Sequence, residues 1–232
     1  MKLHAFAAAA TLIGAALAVP SAQAAIGSTF AADAEGWSVV DIVWGAGDYL
    51  APGTVTAPIH ADGGNPGGHI RAADPSDQSF FFQAPGAFLG DLESYYGGTL
   101  TFDQQVSPAT PEWRDDPDVV LGGGGVQLLY RGSANPGSDW TSFSVHLTAA
   151  EWRVGSLTGV APTEAEFRGV LAALSVLRIR GEYVTGVIET TGLDNVQLTA
   201  VPEPETWGML LAGLGGLAWQ VRRRARPATP PV

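Results

Sequence analysis

The sequence predicts an all-β sandwich or jelly roll carrying one short helix, and three observations predict it. Short runs alternate apolar and polar residues with a period of two, the pattern of half-buried strands. Clusters rich in Gly, Pro and Asp punctuate these runs. A single stretch switches to helical spacing. Many short strands with this punctuation and almost no helix pack as two facing sheets.

The strands follow in chain order. Trp37, Val39 and Val43 alternate around Asp41; Leu100 and Phe102 alternate with Thr101 and Asp103; Val126, Leu128 and Tyr130 share one face. Phe143, Val145 and Leu147 alternate with Ser144 and His146, Leu177 and Ile179 with Arg178 and Arg180, and Val196 pairs with Leu198. Turn clusters stand at 62–68, 115–118 and 135–137. Gly122-Gly123-Gly124-Gly125 lacks the Lys-Ser/Thr that completes a phosphate loop and reads as a strand link or bulge. Thr163-Glu164-Ala165-Glu166 is a capping box, and Phe167, Val170, Leu171 and Leu174 then form one apolar stripe. This helix is expected to end near Ser175 and to pack over one end of the sandwich.

The two termini are addresses. Lys2 and His4 precede an apolar run from Phe6 to Val19, followed by Pro20 and the cleavage pattern Ala22-Gln23-Ala24. Residues 1–24 therefore read as a secretory signal peptide and stand apart from the fold. At the other end, Val201-Pro202-Glu203-Pro204 precedes an uncharged segment at 206–221. As a helix that segment is about 24 Å long, close to the lower limit for crossing a bilayer core. Trp207 and Trp219 lie near its ends, and Arg222, Arg223, Arg224 and Arg226 form a basic stop that stays cytoplasmic. A plain C-terminal membrane anchor would show the same spacing.

The order of these parts in 201–232 resembles the PEP-CTERM sorting signal of Gram-negative, exopolysaccharide-producing bacteria. The resemblance implies recognition by an exosortase, a membrane cysteine transpeptidase, with cleavage near Pro202-Glu203-Pro204. The chain would be exported, held transiently in the inner membrane by its C-terminal hydrophobic helix, and then delivered to the cell surface or the extracellular matrix.

Between the addresses lie residues 25–200, one domain by length and large enough to bury roughly 70% of its unfolded surface. The chain has no cysteine, which excludes thiolate metal sites and cysteine nucleophiles. The body carries seven arginines, no lysine and 21 carboxylates, a net charge of −14. Such a surface repels nucleic acid, which requires a basic footprint. It suits a soluble exported protein able to attract divalent cations.

A second resemblance runs through the body. It is carried by Phe30 and Asp33-Ala34-Glu35-Gly36-Trp37, by 63–70 ending in His69-Ile70, and by Phe80-Phe81-Phe82-Gln83-Ala84-Pro85. Phe88-Leu89-Gly90-Asp91, 95–102, Asp139-Trp140-Thr141-Ser142-Phe143, 178–183 and Gly192-Leu193-Asp194-Asn195-Val196 continue it. Together these resemble the laminin B module, or laminin domain IV, which is similar in architecture to the galactose-binding-like jelly rolls of carbohydrate-binding modules. The resemblance implies an extracellular, non-catalytic module of matrix or adhesion proteins. In jelly rolls of this kind it also implies a structural calcium between the first and last strands. Asp194 matches the last-strand position; Ala31 stands where a carboxylate is expected after Phe30, so Asp33 or Glu35 would substitute. The other reading of Asp194-Asn195 is a cap on a turn before the last strand.

Motifs for catalysis are missing. His60, His69 and His146 are isolated, with no H-E-x-x-H spacing and no G-x-S-x-G elbow. A non-catalytic module binding polysaccharide or a matrix protein is the expectation. The alternative is a secreted, glycosidase-like enzyme acting on polysaccharide from the same scaffold, which would need two carboxyls at a set separation. Aromatic candidates for stacking on sugar rings are Trp44, Tyr49, Trp113, Trp140 and Trp152. Trp113, in the polar stretch 111–116, is the chosen ligand contact; Trp140 and Trp37 read as core.

Overall fold

The structure, a computed structural model, describes residues 25–201 apart from 44, 46, 77 and 110–114. The signal peptide, the segment 206–221, the arginine stop, Pro202, Glu203, Pro204 and Trp113 lie outside the described residues. The period-two runs become antiparallel strands in two sheets. One sheet contains β1 (Ile26–Ser28), β4 (Ile59–Gly64), β5 (Gly67–Ala73), β7 (Thr99–Ser107), β10 (Thr141–His146) and β13 (Thr190–Thr199). Its order is β10-β7-β13-β5-β4, with β1 also paired to β13. The other contains β2 (Ser38–Ile42), β3 (Thr54–Thr56), β6 (Ser79–Gln83), β8 (Val119–Gly123), β9 (Val126–Tyr130), β11 (Trp152–Val154) and β12 (Leu174–Arg180), in the order β11-β9-β8-β12-β6-β2-β3. Consecutive elements repeatedly change sheet, as a jelly roll requires.

Alternation decides what faces inward. Ile70, Leu100, Phe102, Val145, Leu193, Val196 and Leu198 of the six-stranded sheet meet Val39, Phe80, Phe82, Val119, Leu121, Leu128, Leu177 and Ile179 of the other. Each such buried side chain contributes about 1.5–3 kcal/mol relative to exposure. Edge-to-face aromatics seal the rims. Trp37 stacks edgewise on Phe30 and Phe88, and its indole N–H donates to Ser28 Oγ at 2.9 Å.

The helix α1 (Glu164–Ala172) begins where the sequence places it. The Glu166 amide donates to Thr163 Oγ1, and the Thr163 amide donates to Glu166 Oε2, closing the capping box. Phe167, Val170 and Leu171 dock on the core, with Phe167 between the rings of Trp152 and Tyr96. Leu174 departs from the expectation of a continuing stripe. The helix stops at Ala172, Ala173 leaves helical geometry, and Leu174 is already the first residue of β12, buried in the same core.

Two glycine-rich stretches are more ordered than turn clusters. Asp62, Gly63 and Gly64 belong to β4 and Gly67 starts β5, so the connection shrinks to Asn65 and Pro66. In 122–125, Gly124 and Gly125 both have positive φ (59° and 79°), the geometry of a tight hairpin turn. Gly122 and Gly123 are strand residues kept bare for a different reason. A Cβ on Gly122 would collide with Leu50, and one on Gly123 with the carbonyl oxygen of Val170, at the end of the helix.

Gly123→Ala should therefore cost about 1–3 kcal/mol by overpacking against helix backbone. Gly169→Ala, at an exposed helical position with open space around it, should gain about 0.5–1 kcal/mol. Urea unfolding of the two variants checks the opposite signs.

Candidate ligand-binding face

The three consecutive phenylalanines of β6 carry information beyond a strand. A half-exposed strand alternates, whereas Phe80, Phe81 and Phe82 are all fully buried, so both faces of this sheet are covered. On the outer face, Val40, Ile42, Phe81, Val120 and Leu129 form a second apolar cluster. Tyr49, Leu50 and Leu157 roof it. The Tyr49 ring meets Phe81 edge-on at 6.0 Å, and Leu50 fills the space over Gly122. The roof is tied down by the outward Arg178, whose guanidinium donates to the carbonyls of Tyr49 and Ala51. Gln127 accepts from the Tyr49 amide at 3.0 Å and donates to Gly47 O at 2.8 Å.

Arg180, two residues further along β12, points to the same face and is completely buried. Its Nε donates to Glu182 O, and its Nη1 donates to Asp118 Oδ1 at 3.2 Å and to Asp116 O at 3.3 Å. The guanidinium also lies over the Tyr183 ring, 4.5 Å from the centroid. Asp118 Oδ2 accepts from the Gly132 amide at 2.7 Å. Asp116 accepts from Tyr49 Oη at 3.0 Å and from Ser79 Oγ at 2.8 Å. Burial pushes the Asp118 carboxyl above its ordinary value, opposed by Arg180. Burial, reinforced by Asp116, likewise holds the Tyr49 hydroxyl above its own.

This buried network positions the two chain segments that border a groove of about 330 Å³ beside the roof. Leu129 and Leu157 give it apolar lining; Asp115, Arg131, Glu151, Arg153 and Thr158 give it polar lining. Arg131 pairs with Asp115, whose side chain is 86% exposed. Arg153 directs Nη1 to the carbonyls of Trp152 (2.7 Å) and Ala150 (3.2 Å), which sets the plane of its guanidinium. A larger hollow of about 440 Å³ is lined, among the described residues, by Asp91, Glu93, Ser94 and Arg168.

The residues singled out by sequence fall in different places. Trp113 and Trp44 lie outside the described residues, although Trp113 precedes the groove residue Asp115 by two positions in the chain. Trp152 is core. Trp140 is not core as expected: it lies half-buried on the outer face of the six-stranded sheet, edge-on to His69 at 5.2 Å, with its indole N–H donating to Gly63 O. The reason is its place just before β10, at the level where Gly192 leaves room on the neighbouring strands.

Asp194 and Asn195 do not cap a turn before the last strand; both lie inside β13, beside a register shift. Asp194 is fully buried and accepts from the Asn65 amide at 2.6 Å and the Asn195 amide at 2.7 Å. Asn195, at a positive φ of 49°, donates to Asp103 Oδ2 and Asn65 O. Burial raises the Asp194 carboxyl above its ordinary value and lowers the His69 imidazole below its own. Glu35 accepts from the Phe30 amide at 2.7 Å, and Asp33 accepts from the Glu35 amide at 2.7 Å. Asp33, Glu35 and Asp194 thus serve backbone amides and are not gathered into one group. Among the described residues, three carboxylates that do converge are Asp74, Glu182 and Glu189. Their separation in sequence hides them: nothing but the meeting of the two sheets at one end joins 74 to 182 and 189.

Comparison with known proteins agrees with this architecture. The model of the laminin B family (domain IV) matches residues 81–208, more than half of the chain, and the chain belongs to that family. The PEP-CTERM protein-sorting motif matches residues 200–224, a span that holds Val201, Pro202, Glu203 and Pro204 as well as Arg222, Arg223 and Arg224. Laminin subunit alpha-3 of Homo sapiens is 30% identical over 130 residues, 52% of this chain. The match spans 4% of that relative's length. The L4b domain of human laminin alpha-2 superposes with a TM-score of 0.56 at 16% identity, over 78% of this chain and 98% of the domain. A family 11 carbohydrate-binding module from Clostridium thermocellum, in complex with a β-1,3-1,4-mixed-linked tetrasaccharide, has a TM-score of 0.48 at 15% identity, over 79% and 99% of the two chains. The all-β jelly-roll sandwich expected from the sequence is the fold observed. Among the described residues no helix is long and apolar enough to cross a membrane.

Arg180→Met should be strongly destabilising, by about 3–5 kcal/mol, because it strands the Asp118 carboxylate in the interior; chemical denaturation measures it. A second expectation concerns pH. Asp118, Glu189 and Asp194 have folded pKa values raised chiefly by burial. Between the unfolded and the raised folded values the folded chain binds more protons, so stability falls as pH rises through that window. In chelator-treated buffer these carboxyls should therefore raise the thermal midpoint as pH is lowered through that window, partly offset by His69, whose lowered folded value acts with the opposite sign.

Proposed function

We propose that the chain is a non-catalytic binding module, delivered to the cell surface by exosortase processing, whose groove beside the roofed sheet takes a polysaccharide. The observation that carries this reading is the groove itself. Two arginines, two carboxylates and a threonine surround apolar surface from Leu129 and Leu157. Planar guanidinium and carboxylate groups suit the paired hydroxyls of a sugar ring, and apolar surface suits its C–H faces. Tyr49 and Leu50 close the centre of the outer face, and the groove opens beside them.

Charge narrows the ligand class. The body's net charge of −14 opposes a strongly anionic polymer, so a neutral or weakly charged polysaccharide fits best. The resemblance of the sorting signal to that of exopolysaccharide-producing bacteria supplies such a polymer in the same compartment. Trp113, next in chain to this groove, is the proposed stacking residue.

Asp115 and Glu151 line the groove together, the one feature that favours the enzyme alternative. A glycosidase acid needs a desolvated carboxyl. Asp115 is instead paired to Arg131 and largely exposed, which supports binding over cleavage.

The C-terminal motif supports cleavage by an exosortase near Pro202-Glu203-Pro204, with 206–221 in the membrane and Arg222, Arg223, Arg224 and Arg226 inside until then. Replacing Pro202, Glu203 and Pro204 by alanine should leave the full-length chain in the membrane fraction, and a shortened, released product from that variant would overturn the reading. Affinity electrophoresis in the host's own exopolysaccharide should retard the protein. Arg153→Ala and Trp113→Ala should each weaken retardation by about tenfold, worth about 1.4 kcal/mol. Equal mobility with and without the polymer, or release of reducing ends from it, would remove the binding assignment.

A further inference from the structure

We propose that Asp74, Glu182 and Glu189 form a divalent-cation site, best suited to calcium, that staples the two sheets together at one end of the sandwich. Asp74 directly follows β5, Glu189 directly precedes β13, and Glu182 lies two residues beyond β12. The first two elements are neighbours in the six-stranded sheet, where Ala73 pairs with Thr190; β12 belongs to the other sheet. Each residue offers one carboxylate oxygen, and these oxygens lie within 4.8 Å of one another. Oxygens sharing a calcium ion at 2.3–2.6 Å are separated by at most about 4.6–5.2 Å, so one ion can reach all three.

A cluster of acids could exist for solubility alone, but Glu189 is not a solubilising residue. It is fully buried. Its Oε1 accepts the amides of Tyr183 at 2.6 Å and Val184 at 2.9 Å, which fixes the carboxylate and leaves Oε2 buried without a hydrogen-bond partner. A buried carboxylate oxygen with no donor carries a large desolvation cost unless a charge meets it. The backbone reinforces the arrangement, since the Asp74 amide donates to Glu189 O at 2.8 Å and holds the two residues together.

The ligand set selects the ion. It contains oxygen only, with neither imidazole nor thiolate, which favours a hard cation. Half-exposed Asp74 leaves a way in for the ion and room for water to complete its coordination. An exported chain without cysteine gains from such an ion the cross-link that a disulfide supplies elsewhere.

The test uses the purified full chain, stripped with chelator and then titrated with calcium chloride. Calcium at millimolar concentration should raise the thermal midpoint by about 5–10 °C, with magnesium giving less. Glu189→Gln should abolish that shift and, in chelator, melt no lower than the wild type, because it removes the unmet buried charge. Asp74→Asn should weaken calcium affinity about tenfold or more, which keeps the test open if Glu189→Gln does not fold. Asp194→Asn should keep the shift. No calcium-dependent shift in the wild type, or an equal shift in wild type and Glu189→Gln, would overturn the assignment. Loss of the shift in Asp194→Asn alone would do the same by moving the ion to the other end of β13.

Discussion

The guanidinium of Arg180 is the contact on which most of the molecule depends. It is a charge with no access to water, on the face of a strand that alternation would normally leave solvated. Its presence there is tolerable because its Nε and Nη1 donate to Asp118 and to two carbonyls and its plane lies over the Tyr183 ring. Those partners come from the segment before β8, from the turn after β12 and, through Asp118, from the chain leaving β9. One side chain thereby sets the height of both groove-bearing segments and the course of the turn that reaches Glu189.

The roof over the outer sheet face follows from the same constraint. Asp116, held beside Arg180, accepts from Tyr49, and Tyr49 and Leu50 then close over Phe81, Val120 and Gly122. A jelly roll with an open sheet face offers a broad surface to a ligand. This chain spends much of that face on its own core and leaves a narrower groove at the β9 and β11 side, which Asp115, Arg131, Glu151, Arg153 and Thr158 line with hydrogen-bonding groups. At the opposite side of the network, Glu182 and Glu189 belong to a turn whose amides are consumed by one carboxylate oxygen. The groove and the proposed ion site are thus joined through one buried cation.

Much of the fold was legible because its signals are local. Alternation at 100–103 and 143–147 fixes which side chains enter the core, and the capping box at Thr163–Glu166 nucleates the helix within four residues. The extent of elements was less legible where tertiary contacts override local pattern. Leu174 continues a helical stripe in sequence but is drawn into β12 by pairing with β8. Trp140 has the company of a core residue but sits outside, because it precedes the first residue of β10 and lies over Gly192. The site was the least legible part. Asp194, Asp33 and Glu35 attract attention by sequence, and each serves a nearby amide.

Read alone, the sequence determined the all-β class, the strand faces, the single capped helix and the sorting motif, because each rests on neighbours a few residues apart. It also determined the acidity of the body and the lack of cysteine that excludes thiolate ligands. Only the tertiary structure decided which sheet has two buried faces, that Arg180 lies inside, that Asp115 and Arg153 share a groove, and that Asp74 meets Glu182 and Glu189. These depend on pairings across tens of residues, where the favourable partner of a charge is chosen by the closure of two sheets and leaves no periodic trace in the chain.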